Sequence, residues 1–485
     1  MKQTLTDFLL QHKEKHPVSF HMPGHKGSSI YREHGYGAFL DSIMDCDITE
    51  IPGADNLFQT EGVLKETMDR YKAMYGTKES YLLINGSSGG LIAAILASVP
   101  KGGKLVMARN CHKSIFNALS LGDITPVYAY PETVEEYGIL GSVSPEEVAR
   151  CLDASPDAAA VILPSPNYYG ICSDVAAIAE VVHARGKILI IDQAHGAHLN
   201  FFNRYGLAAP GKTSASGFPA AAETAGADVV INSIHKTLAS FTQTALLNLC
   251  SDRVDKYDLE DRLQAIESSS PSYPMMASLD INADLLEKHG PQVMKKWADN
   301  LNWFYENAER EVPGLRIMLH PMLDATKLNL DMSAYGLNGN QLEGLLMEKG
   351  IFVELVTGNI LMCMTGIGNV RCDFEKLLAA LKDIAAEREN CLKNGSTEKP
   401  EQPEAVTKAL QMTKVPVRKE RILLSEAAGR VCASSVIPYP PGIPIVCPGE
   451  IFDEEVITYI GARRQAEEKV IGVDELGRVA VGREE

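Results

Sequence analysis

Six residues, Asn232-Ser233-Ile234-His235-Lys236-Thr237, set a lysine beside a hydroxyl and an imidazole directly after the strand-like run Asp228 to Ile231. A lysine so placed can carry the aldehyde of pyridoxal phosphate (PLP), although Ser-x-His-Lys alone suits a solvated surface lysine equally well. Two further segments complete the chemistry. Lys187-Ile188-Leu189-Ile190-Ile191-Asp192-Gln193-Ala194-His195-Gly196 reads as a buried strand that delivers a carboxylate and a histidine at its C-terminal end. Asn85-Gly86-Ser87-Ser88-Gly89-Gly90 links a short apolar run to the helix-like run Leu91 to Ser98, in a form suited to a phosphate. PLP needs an amine for its aldehyde and an anion facing its pyridine nitrogen, so that the ring stays protonated and accepts electrons from the substrate's alpha carbon. Lys236 and Asp192 fit those two roles. A phosphate dianion favours a helix N-terminus, where unpaired backbone N–H groups and the helix dipole meet it. Asp192 and Lys236 both fall just past strand ends, the place where open α/β sheets bind their ligands.

Holding these residues together requires a scaffold, and the chain between Glu61 and Leu249 supplies an alternating one. Helical patterns at Glu61 to Tyr75, Pro145 to Leu152 and Asp174 to Arg185 alternate with extended runs at Leu105 to Ala108, Ala158 to Leu163, Lys187 to Ile191 and Asp228 to Ile231. This order predicts a mostly parallel sheet covered by helices. Ser144-Pro145-Glu146-Glu147 predicts a helix start with a cap, a proline at the first position and a reciprocal glutamate. The stretch Asn203 to Gly226, rich in Gly, Ala, Ser and Thr, predicts a long loop near the site. A helical stretch around Pro291 to Glu311 closes a unit comprising an N-terminal segment and a large domain, residues 1–310. Shorter elements over 311–392 predict a small α/β domain, 393–407 a polar, proline-bearing linker, and 408–485 a final α+β unit.

Composition narrows the function classes. The 485 residues are 45% hydrophobic and 22% charged, an ordinary globular balance. The net charge of −17 argues against a general nucleic-acid binder and is compatible with cationic ligands. No apolar stretch reaches the length of a membrane span, and the N-terminus, with Lys13 and Lys15 in a polar helical pattern, lacks a signal-peptide profile, so the cytoplasm is the expected location. The ten cysteines show no C-x-x-C pair, which predicts reduced thiols rather than a zinc site or disulfide framework. Asp192, His195 and His198 could gather round a metal, but PLP accounts for Asp192 and His195 together with Lys236, so no metal is expected.

The ordered motifs carry a resemblance. Phe20-His21-Met22-Pro23-Gly24-His25-Lys26-Gly27, Asp47-Ile48-Thr49-Glu50, Arg109-Asn110-Cys111-His112-Lys113-Ser114 and Pro166-Asn167-Tyr168-Tyr169-Gly170 precede the Asp192 and Lys236 elements. Ser270-Pro271-Ser272-Tyr273-Pro274, Pro438-Tyr439-Pro440-Pro441-Gly442-Ile443-Pro444 and Pro448-Gly449-Glu450 follow them. Over nearly its whole length the chain resembles the PLP-dependent ornithine/lysine/arginine decarboxylases of the aspartate-aminotransferase fold. The resemblance implies an α/β protein with a PLP-dependent fold type I large domain, a small α/β domain and a C-terminal α+β domain. It implies that Lys236 carries the cofactor, that Ser88, Gly89, Ser233 and His235 hold its phosphate, and that His112 stacks on the ring. Ala194 would pack on the other face, and His195 would lie near the ring hydroxyl. The Ser270-Pro271-Ser272 turn would either reach the phosphate of a neighbouring subunit in a homodimer or be a simple turn. The chain begins almost directly at the His-Met-Pro-Gly-His element, as expected of the shorter, biosynthetic type without an N-terminal wing domain. Gly89 and Gly90 stand where larger enzymes often carry side chains, and Gln193 where many relatives of the fold carry glutamate.

What the resemblance implies chemically is decarboxylation of a basic L-amino acid in polyamine biosynthesis: arginine to agmatine first, then lysine to cadaverine and ornithine to putrescine. Lys236 or His112 would return a proton to Cα. An acidic group should meet the distal cation, with Glu50, Asp55 and Glu450 as candidates. An aminotransferase or another fold type I lyase would use the same lysine and aspartate, and a non-catalytic decarboxylase-like regulator would not need to retain Lys236, Asp192 and His235.

Overall fold

In the computed structural model, which describes residues 3–210, 217–390, 410–413, 415–438, 444–465 and 469–483, seven strands form the sheet that carries the motifs. Their spatial order is Glu79–Leu83, Ala245–Leu249, Val229–Asn232, Ile188–Asp192, Ala158–Pro164, Lys104–Ala108 and Thr125–Ala129. Ala245–Leu249 runs antiparallel to both neighbours, and the remaining pairings are parallel. Helices cover both faces, so the central strands are apolar without alternation; all four residues of Val229–Asn232 are buried. In register, Asp192 pairs with Pro164 on one side and Ile231 on the other, which brings the ends of three strands to one edge.

Local signals set several boundaries. Ser144 caps the helix Pro145–Ala154 by accepting the Glu147 N–H at 3.2 Å. The expected return bond from Glu147 is not made, because its carboxylate instead accepts the Tyr130 N–H at 3.0 Å and pairs with Arg150. The helix expected from Leu91 begins at Gly86. Its glycines read as a turn by propensity, yet they are there for close approach: a Cβ on Gly90 would stand 2.5 Å from Leu83 Cδ1. The helix expected around Pro291 spans Tyr273–Glu311, 39 residues, with Pro291 inside it. Twenty of its residues are buried, so tertiary packing carries it through the proline. Part of the expected Asn203 to Gly226 loop lies outside the described residues, and its start is helical, Leu199–Arg204.

Beyond the large sheet, Arg316–Ile317, Lys327–Asp331, Ile360–Met364 and Leu355–Thr357 form a four-stranded antiparallel sheet, flanked by the helices Gly339–Glu348 and Arg371–Glu387. The N-terminal strand Val18–Phe20 pairs in parallel with Ile351–Val353 of this smaller unit, not with the large sheet. The chain then passes from the small unit across the catalytic edge through Met22 and Gly24. The linker expected over 393–407 lies outside the described residues, as do Tyr439 to Ile443. The last unit pairs Lys419–Leu423 with Arg478–Gly482 and packs the helix Glu454–Gln465 on a core that includes Val436, Phe452 and Ile460.

Candidate active site

At the C-terminal edge of the parallel strands lies a cavity of about 320 Å³. Ser88, His112, Asp192, Ala194, His195, Ser233, His235 and Lys236 all line it. Lys236 sits on the helical turn Ile234–Thr237 that follows the strand Val229–Asn232. Its Nζ lies 3.1 Å from His195 Nε2. Burial lowers the pKa of the Lys236 amine, although Asp192 and Glu354 raise it. Asp192, at the end of its strand, accepts the Ala194 N–H through Oδ1 at 3.1 Å. Burial raises the Asp192 pKa, against the pull of the Lys236 cation.

The histidines hold distinct protonation states. His112 accepts the Ser114 N–H on Nδ1 at 3.2 Å, with the Ser114 hydroxyl 2.8 Å away, which assigns its proton to Nε2. Burial and the neighbouring lysines lower His112 to about 3. His235 donates Nδ1–H to the Thr244 carbonyl at 2.8 Å, and burial lowers it to about 4. His195 is held well below its ordinary range, first by burial and then by Lys236. All three rings are therefore neutral near pH 7.

Opposite Lys236, the helix Gly86–Ser98 turns its N-terminus to the cavity, with Asn85, Gly86, Ser87 and Ser88 in the wall. Its first N–H groups have no intrahelical acceptor. The Ser87 and Ser233 hydroxyls lie 2.8 Å apart across the gap and converge on the same place. Asn85, Gly86 and Ser87 were legible as a segment, but only Ser88 and Gly89 stood out as individual ligands. Gly89 is a correction: it does not line the cavity, and a Cβ there would meet Glu267 Oε1, Asn85 and Ile266. Gln193 likewise turns away, bonded to Ala222, Glu223 and Asn232. Thr242 and Gln243 enter the wall from a loop with no motif of its own, Gln243 at φ 85°. Tyr168 sets its ring edge-on to His195 at 5.2 Å.

The three acidic substrate candidates are not brought to this cavity. Asp55 spends its carboxylate on the N–H groups of Asn56, Glu61, Gly62 and Leu64. Glu450 is wholly buried, pairs with Arg109 at 3.0 Å and accepts the Cys447 N–H at 2.7 Å. Glu50 is exposed and outside the lining. Their spacing in the sequence carried no information on these partners. Nor do Asp192, His195 and His198 form a metal-binding group among the described residues: His198 faces Asp324 Oδ1 at 3.1 Å and Thr237.

A buried network that the motifs did not reveal lies behind His195. Lys327 Nζ donates to the His195 carbonyl at 2.5 Å and to Asp324 Oδ2 at 2.7 Å. Asp324 is held below the ordinary carboxylate range because His198 and Lys327 outweigh its burial.

These residues fit PLP. A buried carboxylate, an amine, a flat neutral imidazole and a hydroxyl-lined helix N-terminus converge on one cavity, and the buried Nδ1 of His195 in its wall has no hydrogen-bond partner. That is a donor set for a flat, polar, phosphorylated ring.

Comparison with known proteins agrees with this geometry. Residues 3–328 match the Orn/Lys/Arg decarboxylase major domain, and residues 391–475 match the C-terminal domain of the same family. An arginine decarboxylase of Bacillus subtilis is 31% identical over 469 residues, covering 93% of this chain and 91% of its own. YaaO, an uncharacterized protein of the same organism, is 32% identical over 472 residues, covering 94% and 93%. Among solved structures, the constitutive lysine decarboxylase of Escherichia coli superposes with a TM-score of 0.73 at 21% identity, covering 99% of this chain and 81% of that one. The architecture is that of PLP fold type I enzymes.

Proposed function

The chain belongs to the Orn/Lys/Arg decarboxylase family and acts on basic amino acids, and we propose that it converts arginine to agmatine with PLP as cofactor. The observation that carries the chemistry is the convergence of Lys236, Asp192 and the Gly86–Ser98 helix N-terminus on one cavity. Lys236 would hold the aldehyde carbon, Asp192 the ring nitrogen, His112 one ring face, and Ser87, Ser88 and Ser233 the phosphate. When bound, PLP supplies the electron sink that takes up the electron pair left at Cα as CO2 departs.

The chain's own groups do the rest. Asp192, in a site closed to water, provides fixed negative charge where positive charge must persist. Lys236 is the better candidate for the proton delivered to Cα, since its lowered pKa lets the amine exchange protons near neutrality. His112 is a poor acid there: its Nδ1 is committed to Ser114 and its ring is neutral down to about pH 3. Arginine ranks ahead of lysine because the arginine decarboxylase relative is the more similar in sequence.

Incubating the purified, PLP-loaded protein separately with arginine, lysine and ornithine, and identifying the amine by mass, tests this. Agmatine is the expected product. Cadaverine or putrescine alone would overturn the substrate, and no amine from any of the three would overturn the reaction.

We also infer a homodimer in the cytoplasm. The helix Leu5–Glu14 buries none of its residues in its own chain and exposes Leu5, Phe8, Leu9 and Leu10, a stripe that a second copy would cover. Light scattering on the eluting protein should give twice the chain mass.

A further inference from the structure

We infer that Glu354 is the carboxylate that receives the distal cation of the substrate. This rests on the decarboxylation of basic amino acids and adds the residue that selects them.

A guanidinium or ammonium that leaves water for a closed site needs an anion, because an unpaired buried charge is strongly destabilising. The carboxylates around the cavity can be taken in turn. Asp192 lies in the wall beside Lys236. Asp324 is already bonded to Lys327, His198 and Thr326. Glu267 lies behind the phosphate loop, holding the Ile84 and Asn85 N–H groups. Asp55 and Glu450 are spent on backbone amides and Arg109.

Glu354 differs. It lies between the strands Ile351–Val353 and Leu355–Thr357, and its N–H is bonded to the Met362 carbonyl at 3.1 Å. Its Oε2 accepts the N–H of Met22 at 2.9 Å, and Met22 is part of the cavity wall. Oε1 has no hydrogen-bond partner among the described residues. Glu354 therefore stands one residue behind the rim with half of its carboxylate uncommitted, and its field reaches Lys236. The nearby cation does not use it up. Lys26 directs its Nζ to the Met364 carbonyl at 3.1 Å and to the His21 carbonyl, and burial lowers it to about 7. Glu354 reaches the rim because Val18–Phe20 pairs with Ile351–Val353, which lays Met22 over the cavity. A substrate held at Lys236 by its α-amine would thus point its far end toward a carboxylate fixed by a backbone bond.

The test uses PLP-loaded Glu354→Gln, whose amide oxygen can still accept the Met22 N–H, assayed with arginine and with norleucine. The KM for arginine should rise roughly 30-fold or more, the cost of truncating one member of a buried charge pair. Values for norleucine should stay as in the unaltered enzyme. Calorimetric binding of agmatine, which involves no turnover, should weaken by a similar factor. Glu354→Asp should fall between, and it serves as the test variant should the glutamine variant fail to fold. Equal losses on arginine and norleucine would reduce Glu354 to a support for Met22 and overturn the inference, as would an unchanged KM and agmatine affinity. If the unaltered enzyme did not prefer arginine to norleucine, the basic-substrate reading would fail first and this inference with it.

Discussion

Lys236 and Asp192 show how far single residues can be read. Both sit at ends of strands whose apolar runs are visible in the sequence, and the structure places them in one cavity. Lys236→Ala should abolish amine production while leaving the melting temperature of the protein little changed, because the side chain has a single hydrogen-bond partner, His195. Mass detection of agmatine at an unaltered rate would refute that role. Asp192→Asn keeps the shape and the oxygen that accepts the Ala194 N–H, but removes the charge. Turnover should fall on the order of 10²–10³-fold, comparable to the loss of one preorganised electrostatic group. PLP affinity, followed by equilibrium dialysis, should fall as well; near-normal turnover with full PLP occupancy would rule Asp192 out. Neither residue's neighbours were legible to the same degree. Lys327 bonds to His195 from a position 132 residues away, and Glu354 bonds to Met22 across 332. Contacts of that range leave no local spacing to detect.

Elements carry the next level of information, and the segment Phe20 to Gly27 is the clearest case. It read as a motif without a visible purpose; the structure makes it the seam between the two sheets. The Gly24 N–H donates to the His235 carbonyl at 2.6 Å, and the Gly24 carbonyl accepts the Gly368 N–H at 3.0 Å. A Cβ on Gly24 would stand 2.4 Å from the Thr237 carbonyl carbon and 2.5 Å from the Leu238 oxygen, both backbone atoms that cannot rotate aside. Gly24→Ala should therefore cost about 1–3 kcal/mol or more, the range for overpacking, and should push the Lys236 turn out of place. Chemical denaturation together with kcat would show both effects, and an alanine variant of normal stability and rate would mean that the seam can open freely. The same comparison explains which elements were legible. Strands buried on both faces and the Ser144-capped helix announce themselves by local pattern. The helix Gly86–Ser98 did not, since its glycines serve packing against Leu83 and Ile231, and the helix Tyr273–Glu311 did not, since its proline argued for a boundary that twenty buried side chains override.

At the scale of the molecule, buried charge ties the units together and sets their response to acid. His112 and His235 are lowered from 6.5 to about 3 and about 4, and His195 well below 6.5, each first by burial. Lowered histidines bind protons more readily in the unfolded chain, so their contribution is present above pH 6.5 and is lost as pH falls toward about 3–4. Asp324, also lowered, loses its contribution below its unfolded value of 3.8. The melting temperature should thus decline between pH 6.5 and 4 with a slope reporting uptake of more than one proton, and a flat profile there would contradict the neutral, buried rings. The C-terminal unit depends on a single ion pair of another kind. Arg109, three residues before His112, donates to the carbonyls of Pro444 and Ile445 at 2.8 and 2.9 Å and to Glu450 at 3.0 Å, with Tyr128 beneath its guanidinium at 5.3 Å. Glu450→Gln would leave the Arg109 cation buried without its anion, a loss of about 3–5 kcal/mol. That cost falls on the contact between the units rather than on either core, because Phe452 and Ile460 keep their own packing. Hydrogen exchange across 444–465 should accelerate on the order of a hundredfold or more, while the strand Ile188–Asp192 exchanges as before. Equal acceleration in both segments would instead mean that Glu450 supports the whole fold, and no acceleration in either would mean that the two carbonyls alone hold Arg109 and the C-terminal unit in place.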